Sequence, residues 1–375
     1  MENIMYTYHI MHGEKTVAKI SQNGECKIYL PKFMPYNLYF EEVTRDNDAI
    51  DIRIQNLENF YYWCSSRVLT LDREYAKEIL NSVGAAQAVT DKERAGIALS
   101  YHCLSITDIY WTKEENEQCQ FCEINLYENH LEKAFVDVSL RGKQMTIQNR
   151  HLIASDLGTK GCYPKAWIRK EKEFFLIKDG GEKFVENELL ASEICRCFRV
   201  NQVHYHSYIY DKQKVSMSRI ITSLKRSIVP MEYFEIYATN HDINKKEFIL
   251  NLDGYSYYMM NILDYLIGNT DRHWGNWGML IDNESNEPVR LYDLMDFNQA
   301  FHAYDTIEGA NCLTILDAGA NTEKNQSQKE AAILAVSKIG LNQIKEIPEG
   351  MLQGTGVGKM FFERLRILRS SINLY

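Results

Sequence analysis

The chain has no long apolar run: none of its segments approaches the ~18 uncharged apolar residues that a membrane-crossing helix needs, although apolar types make up 45% of its 375 residues. That composition predicts a soluble chain with no membrane partner. Nor does the start resemble a secretory leader, because Met1 to Ile10 carry Glu2 and His9 without a basic cluster or a small-residue cleavage pattern. The expected address is cytoplasmic. Basic residues are in deficit, with 42 Lys and Arg against 51 Asp and Glu and a net charge of -9. This balance argues against a large nonspecific nucleic-acid footprint and leaves room only for a small local basic patch. A disulfide or zinc framework is missing as well. The nine cysteines are odd in number and scattered. Cys119 and Cys122 have metal-like spacing, but two further ligands at matching spacing are not evident nearby. Free thiols in a reducing compartment are the expectation.

At 375 residues the chain exceeds the roughly 100 to 200 of a single domain, so two or three packed units are expected. The opening alternates as a small sheet does, over Tyr6–Ile10, Thr16–Ile20 and Cys26–Leu30, with Asn23-Gly24 as a turn before the third strand. From Asn56 the period becomes helical, with Phe60, Trp63 and Cys64 on one face, and Leu71 to Val83 reads as a second helix. Thr90-Asp91-Lys92-Glu93 has the form of a capping box, and a third helix is expected through Leu99 to Leu104. Thr112 to Gln118 is polar and acidic and reads as a loop, and a boundary is placed near Gly142. Strand-like pieces follow at Ala166–Arg169, Glu173–Lys178, Gln202–Tyr210 and Val215–Ile221, with a helical pattern over Glu186–Phe198 between the second and third. From Tyr255 onward the pattern is mostly helical, apart from a β-like passage around Met279 to Asp296. Three parts result: 1–142, 143–230 and 231–375.

Strand, strand, helix, strand, strand is the layout of a kinase small lobe, and phosphoryl transfer has definite chemical needs. It requires a carboxylate near the attacking hydroxyl, ligands for a divalent ion, and a cation on the nucleotide phosphates. Gly268-Asn269-Thr270-Asp271-Arg272-His273-Trp274-Gly275-Asn276 supplies a catalytic-loop candidate. There Asp271 would orient the hydroxyl, and the Asn276 amide oxygen would ligate magnesium. Taken alone, such a stretch also suits a polar turn capping a helix. Downstream, Asp296 in Leu294-Met295-Asp296-Phe297-Asn298 is the second metal ligand, with Asp293 as a rival that spacing does not exclude. Upstream, Lys178 ends an apolar strand and can reach phosphates, although it also suits a solvated strand end. Its ion-pair partner is Glu188, ahead of Glu193 and Glu186. Gly158 to Lys165, with Gly161 and Lys165, would form the turn over the phosphates. The competing cluster Gly354-Thr355-Gly356-Val357-Gly358 lacks a preceding strand and the Lys-Ser/Thr ending of a Walker loop, so it reads as a helix N-terminus. His273 braces the loop, since Asp271 already fills the role of base, and Trp274 and Trp277 pack in the core.

These residues resemble the HipA-like kinases, whose catalytic loop reads Gly-Asn-x-Asp-x-His-x-x-Asn. The resemblance spans most of the chain. Asp271 falls on the family's catalytic aspartate, His273 on the histidine of its loop, Asn276 and Asp296 on its metal ligands, and Lys178 on its nucleotide lysine. Thr159-Lys160-Gly161 with Lys165-Ala166-Trp167 is similar to its phosphate-loop region. Val17–Ile20, Arg67-Val68-Leu69 with Arg73, and Leu104–Trp111 are similar to its accessory region. Asp293 departs from the pattern, standing where proline is expected. The resemblance implies an α+β, two-lobed protein-kinase-like fold with an N-terminal accessory domain over 1–142, a small lobe over 143–230 and a large lobe over 231–375. It further implies ATP and Mg2+ as cofactors, a protein substrate with a Ser or Thr hydroxyl, autophosphorylation, and an antitoxin-like protein partner. Two other readings keep the fold: a small-molecule or lipid kinase, and a nucleotide-binding pseudokinase that acts as an interaction module.

Overall fold

Alternating apolar and polar residues at the start of the chain become an antiparallel sheet in the computed structural model, which describes residues 6–44, 49–69, 76, 79–80, 89–128, 163–171, 173–319 and 326–371. Strands β1 (Thr7–His12), β2 (Lys15–Ser21), β3 (Cys26–Ile28) and β4 (Tyr110–Glu114) lie in the order β3-β2-β1-β4. The structure divides into two units, the first made of 1–178 with 222–227 and 282–287, the second of the remainder.

In the first unit, helix α1 (Ala49–Ser65) turns Phe60, Trp63 and Cys64 inward as the helical period predicts. Phe60 meets the ring of Tyr8 on β1 at 5.8 Å between centroids. The polar tie between helix and sheet is Asn56. Its oxygen accepts from Glu41 N–H at 3.0 Å, and its amide nitrogen donates to the carbonyls of Glu41 at 2.8 Å and Gly24 at 3.1 Å. Helix α2 (Asp91–Leu99) opens on the expected Thr90–Glu93 capping box. The third helix expected over Leu99–Leu104 does not form: the chain turns after Leu99, and His102 and Cys103 take left-handed φ values of 60° and 52°. The expected loop at Thr112–Gln118 is likewise corrected, because β4 runs to Glu114. A strand paired with β1 along its length satisfies the backbone there despite its polar side chains. Of the helix expected over Leu71–Val83, the described residues are Ala76, Ile79 and Leu80, which are helical and buried. Arg73, the boundary near Gly142 and the stretch Gly158–Cys162 lie outside the described residues.

Arg67 is the buried hub of this unit. Its guanidinium binds both oxygens of Asp108, at 2.7 and 3.0 Å, and donates to the Tyr110 carbonyl at 3.1 Å, while it lies over the Trp63 ring at 5.0 Å. The two accessory segments singled out in the sequence, at Arg67 and at Leu104–Trp111, therefore meet through a bidentate ion pair. A short helix α3 (Phe121–Ile124) follows β4. Strands β5 (Lys165–Lys170) and β6 (Glu173–Lys178) form a hairpin in which Lys165 and Lys178 stand directly opposite each other.

The second unit begins with helix α4 (Glu182–Cys195), followed by the hairpin β7 (Tyr205–Tyr210) and β8 (Gln213–Arg219). The element order strand, strand, helix, strand, strand is thus present. Strand β9 (Arg226–Pro230) leads into helix α5 (Met231–Asn240), and neither was expected from the sequence. Helix α6 (Lys245–Ile267) starts earlier than Tyr255 and is broken at Asp253, whose backbone is non-helical at φ -159° and ψ 59°. The Asp253 carboxylate explains the break. It accepts from Ser256 N–H at 3.2 Å, which caps the second half, and from Leu291 N–H at 3.1 Å. Strands β10 (Gly278–Asp282) and β11 (Glu287–Leu291) join β9 in the order β11-β10-β9. Helices α7 (Gln328–Ile339) and α8 (Gly358–Ser370) pack against α6, whose residues Met259 to Ile267 are all buried. The Gly354–Gly358 cluster follows a 3-10 turn over Glu349–Leu352 and ends at the start of α8, as the helix-N-terminus reading requires. Among the described residues no helix is long and apolar enough to cross a membrane.

Replacing Asn56 by leucine removes the partners of several backbone groups at once. Each buried group left unsatisfied costs about 1 to 3 kcal/mol, so Asn56→Leu is expected to lower the urea midpoint of unfolding by an amount equivalent to about 3 kcal/mol. A shift under about 0.5 kcal/mol, the range of a neutral surface change, would show that the Asn56 bonds do not hold α1 to the sheet.

Candidate active site

Helix α6 ends at Gly268 in the left-handed conformation, φ 58°. A side chain is excluded there on two counts, since a Cβ would come within 2.5 Å of the Tyr304 ring and 3.1 Å of the Arg364 guanidinium. The next residue, Asn269, is buried. Its backbone N–H donates to the Asp264 carbonyl at 3.0 Å, its amide donates to the Asp264 carboxylate at 3.1 Å, and its oxygen accepts from Asp271 N–H at 3.3 Å. The helix end therefore hands the chain to Asp271 through one bridging amide.

Beneath the loop lies a buried ion pair. Arg272 donates to both Asp264 oxygens, at 3.0 and 3.2 Å, and a further guanidinium nitrogen reaches the carbonyls of Asn276, at 3.0 Å, and Met295. Arg272 thus grips helix α6, the far end of its own loop and the backbone just before Asp296. Burial works to lower the Arg272 pKa; the carboxylates of Asp264 and Asp296 more than offset it, and the guanidinium sits above its ordinary value.

At the surface of the loop, Asp271 and Asn276 are joined. The Asn276 amide nitrogen donates to the Asp271 carbonyl at 2.7 Å and lies 3.4 Å from its carboxylate. That leaves the amide oxygen of Asn276, a hard donor, as the atom suited to a cation. His273 is half exposed. Its Nδ1 accepts from Gly275 N–H at 3.0 Å, so the ring proton of the neutral form is on Nε2, 3.8 Å from Asp271 Oδ1. That separation is too long for a hydrogen bond. A Cβ on Gly275 would meet the His273 ring at 2.8 Å, so glycine permits this turn. Trp274 and Trp277 are buried, with Trp277 against Tyr257 at 5.6 Å.

Asp296 adopts left-handed φ, 61°, and the Tyr205 hydroxyl accepts from its backbone N–H at 3.1 Å. Phe297 behind it is fully buried, edge-on to Tyr205 at 6.1 Å and under the Arg272 guanidinium at 5.5 Å. The rival Asp293 is bound to Arg290 at 2.7 Å. The backbone beyond Asp296 returns to the start of the Asp271–Asn276 loop, because Thr270 N–H donates to the Gln299 carbonyl and Ala303 N–H to the Gly268 carbonyl. Asn187 of α4 donates to the Ala300 carbonyl at 2.9 Å. One residue on, Glu188 is buried and accepts from the Ser216 hydroxyl. Its two rivals are exposed and engaged elsewhere, Glu186 with Lys214 at 3.3 Å and Glu193 with Arg196 at 3.8 Å.

In the first unit, Lys178 and Lys165 are each only 7% exposed, so Lys178 is not a solvated strand end. Gly161 lies outside the described residues. The second unit thus brings together Asp271, His273 and Asn276, with Asp296 held next to their support. Sequence reasoning missed the support itself: Asp264, Asn269, Arg272 and the Tyr205 hydroxyl. The available signal was one carboxylate, Asp264, inside the otherwise apolar stretch Ile262–Ile267, which demands a buried partner.

Removing that partner should be costly. Breaking a buried pair from one side costs about 3 to 5 kcal/mol. Arg272→Met is expected to destabilise the chain by about that much in denaturant unfolding, and Asp264→Leu with Arg272→Met together to recover most of the loss. Equal destabilisation by the single and double variants would remove the pair from this role.

No protein-family model matches the sequence, and no curated protein matches it. Solved structures do. The chain is similar to the Shewanella oneidensis MR-1 toxin–antitoxin system of HipA, HipB and operator DNA, with a TM-score of 0.51 and 12% identity over 98% of this chain and 90% of that one. It is also similar to the Helicobacter pylori proinflammatory kinase CtkA, with a TM-score of 0.42 and 13% identity over 57% of this chain and 93% of that one. At these identities the likeness is one of fold: mixed helices and antiparallel sheets in an α+β arrangement related to the HipA-like kinase fold.

Proposed function

We propose that the chain is an ATP-dependent phosphotransferase, a HipA-like serine/threonine protein kinase of two lobes with an accessory region over 1–142, a small lobe over 143–230 and a large lobe over 231–375. The observation that carries this reading is the loop Asp271–Asn276, fixed from below by the Asp264–Arg272 pair, with Asp296 held by the same guanidinium's bond to Met295.

In this mechanism Asp271 orients the acceptor hydroxyl and takes its proton as the phosphoryl group leaves the nucleotide. Asn276, through its amide oxygen, and Asp296, through its carboxylate, would hold Mg2+, whose chemistry is to neutralise charge on the phosphates. Both are oxygen donors of the kind a hard cation takes, which fits the group. Lys178, with Lys165 and Gly161, would contact the nucleotide phosphates, and Glu188 is assigned to the lysine as its anionic partner. His273 is a positioning residue: by accepting from Gly275 N–H through Nδ1 it fixes the turn between Asp271 and Asn276. The same reading places an antitoxin-like protein among the partners, by analogy with the HipA–HipB assembly.

The test is magnesium-dependent transfer of labelled γ-phosphate from ATP to the chain itself, to a protein mixture and to small alcohols. Asp271→Ala is expected to lose about 10²- to 10⁴-fold in rate, the scale of a lost general base, and Asp296→Asn to require much higher magnesium. Equal rates in wild type, Asp271→Ala and Asp296→Asn would end the proposal. Transfer confined to small alcohols would replace the protein acceptor, and nucleotide binding without transfer would leave a pseudokinase. Gly275→Ala is expected to lower kcat by about tenfold with little change in nucleotide KM, because its Cβ displaces the His273 ring and loosens the loop; unchanged kcat would deny His273 its positioning role.

A further inference from the structure

Away from the loop, the first unit gathers metal-ligand side chains that the sequence did not connect. His102 Nε2 lies 3.5 Å from Glu117 Oε1, and with the Cys119 sulfur these atoms all fall within 4.8 Å of one another. We propose that His102, Glu117 and Cys119 form a binding site for one zinc-class divalent ion, with solvent in the fourth position. This inference is independent of the phosphotransferase reading.

The fold builds the cluster around Trp111. This fully buried ring of β4 stands edge-on to His102 at 6.1 Å and stacks on Phe121 at 6.2 Å, which brings the turn after α2 beside the segment that enters α3. Backbone pairing adds to this, because Thr112 N–H donates to the His102 carbonyl at 2.8 Å. The absence of ligands at regular spacing in the sequence is therefore answered by topology.

The donor chemistry also fits. His102 Nδ1 lies 3.0 Å from the Thr112 carbonyl. A carbonyl only accepts, so Nδ1 carries the proton and Nε2 offers a lone pair toward Glu117, the arrangement by which protein second partners orient metal-binding histidines. Thiolate, imidazole and carboxylate together suit zinc rather than magnesium or calcium, and two anionic ligands with a neutral imidazole balance a 2+ ion. A cysteine ligates metal as the thiolate, so binding releases a proton. Cys122 stands outside the set: it is exposed, and its sulfur is 3.7 Å from Gln120 Oε1.

The experiment uses the full chain, stripped with a chelator and titrated with Co2+, then with Zn2+. Expected are one equivalent of Co2+ with a thiolate-to-metal charge-transfer band, displacement by Zn2+, and release of a proton. Cys119→Ser should abolish the band and Cys122→Ser should keep it. Glu117→Gln, on a partly exposed turn, should weaken binding by about tenfold or more, and circular dichroism will verify that it is folded. His102→Gln should behave likewise. The proposal is overturned by the absence of a band in wild type, by a band that survives Cys119→Ser but not Cys122→Ser, or by unchanged affinity in folded Glu117→Gln.

Discussion

A guanidinium buried against one carboxylate organises the second unit. Arg272 has no water to fall back on at 2% exposure, so its donors must all find protein acceptors, and those it finds lie on three separate stretches of chain. The cost of burying the charge is met by Asp264, which in turn fixes Asn269 at the start of the loop. The helix end, the Asp271–Asn276 loop and the approach to Asp296 consequently share one point of attachment. Neutral packing could supply stability at that point, but not the directional bonds that set where each backbone goes.

The two units solve a similar problem in the same way. In the first, Arg67 binds Asp108 and the Tyr110 carbonyl and lies over Trp63; in the second, Arg272 binds Asp264 and lies over Phe297. Each planar cation combines a bidentate carboxylate with an aromatic face, a geometry that lysine cannot reproduce. Each also ties its own segment to one distant in sequence, Arg67 to Asp108 and Arg272 to Met295, and no local pattern announces such ties.

What could be read in advance followed from period and turn chemistry. The strands at Thr7–His12 and Glu173–Lys178, the inward face of α1 and the Thr90–Glu93 capping box depend on neighbours within a few positions, and these were legible. Elements decided by distant partners were not. The polar stretch from Thr112 is drawn into β4 as far as Glu114 because β1 pairs with it; α5 and β9 were not anticipated; the chain after Leu99 bends into left-handed backbone instead of continuing as helix. At the candidate site the residues of the chemistry were legible as a spaced motif, whereas the supports beneath it, Asp264 and Tyr205, become visible only when the chain is folded.

The C-terminal helix α8 adds a temporal condition. Arg364, fully buried, donates to the Tyr265 carbonyl at 2.6 Å and to Thr306 at 2.7 Å, so it closes the last turn of α6 from a residue 99 positions downstream. Polypeptide synthesis proceeds at about 5 to 20 residues per second. The nascent Asp271–Asn276 loop must therefore wait on the order of 5 to 20 seconds for this anchor to be made, and for that interval the end of α6 is held without it.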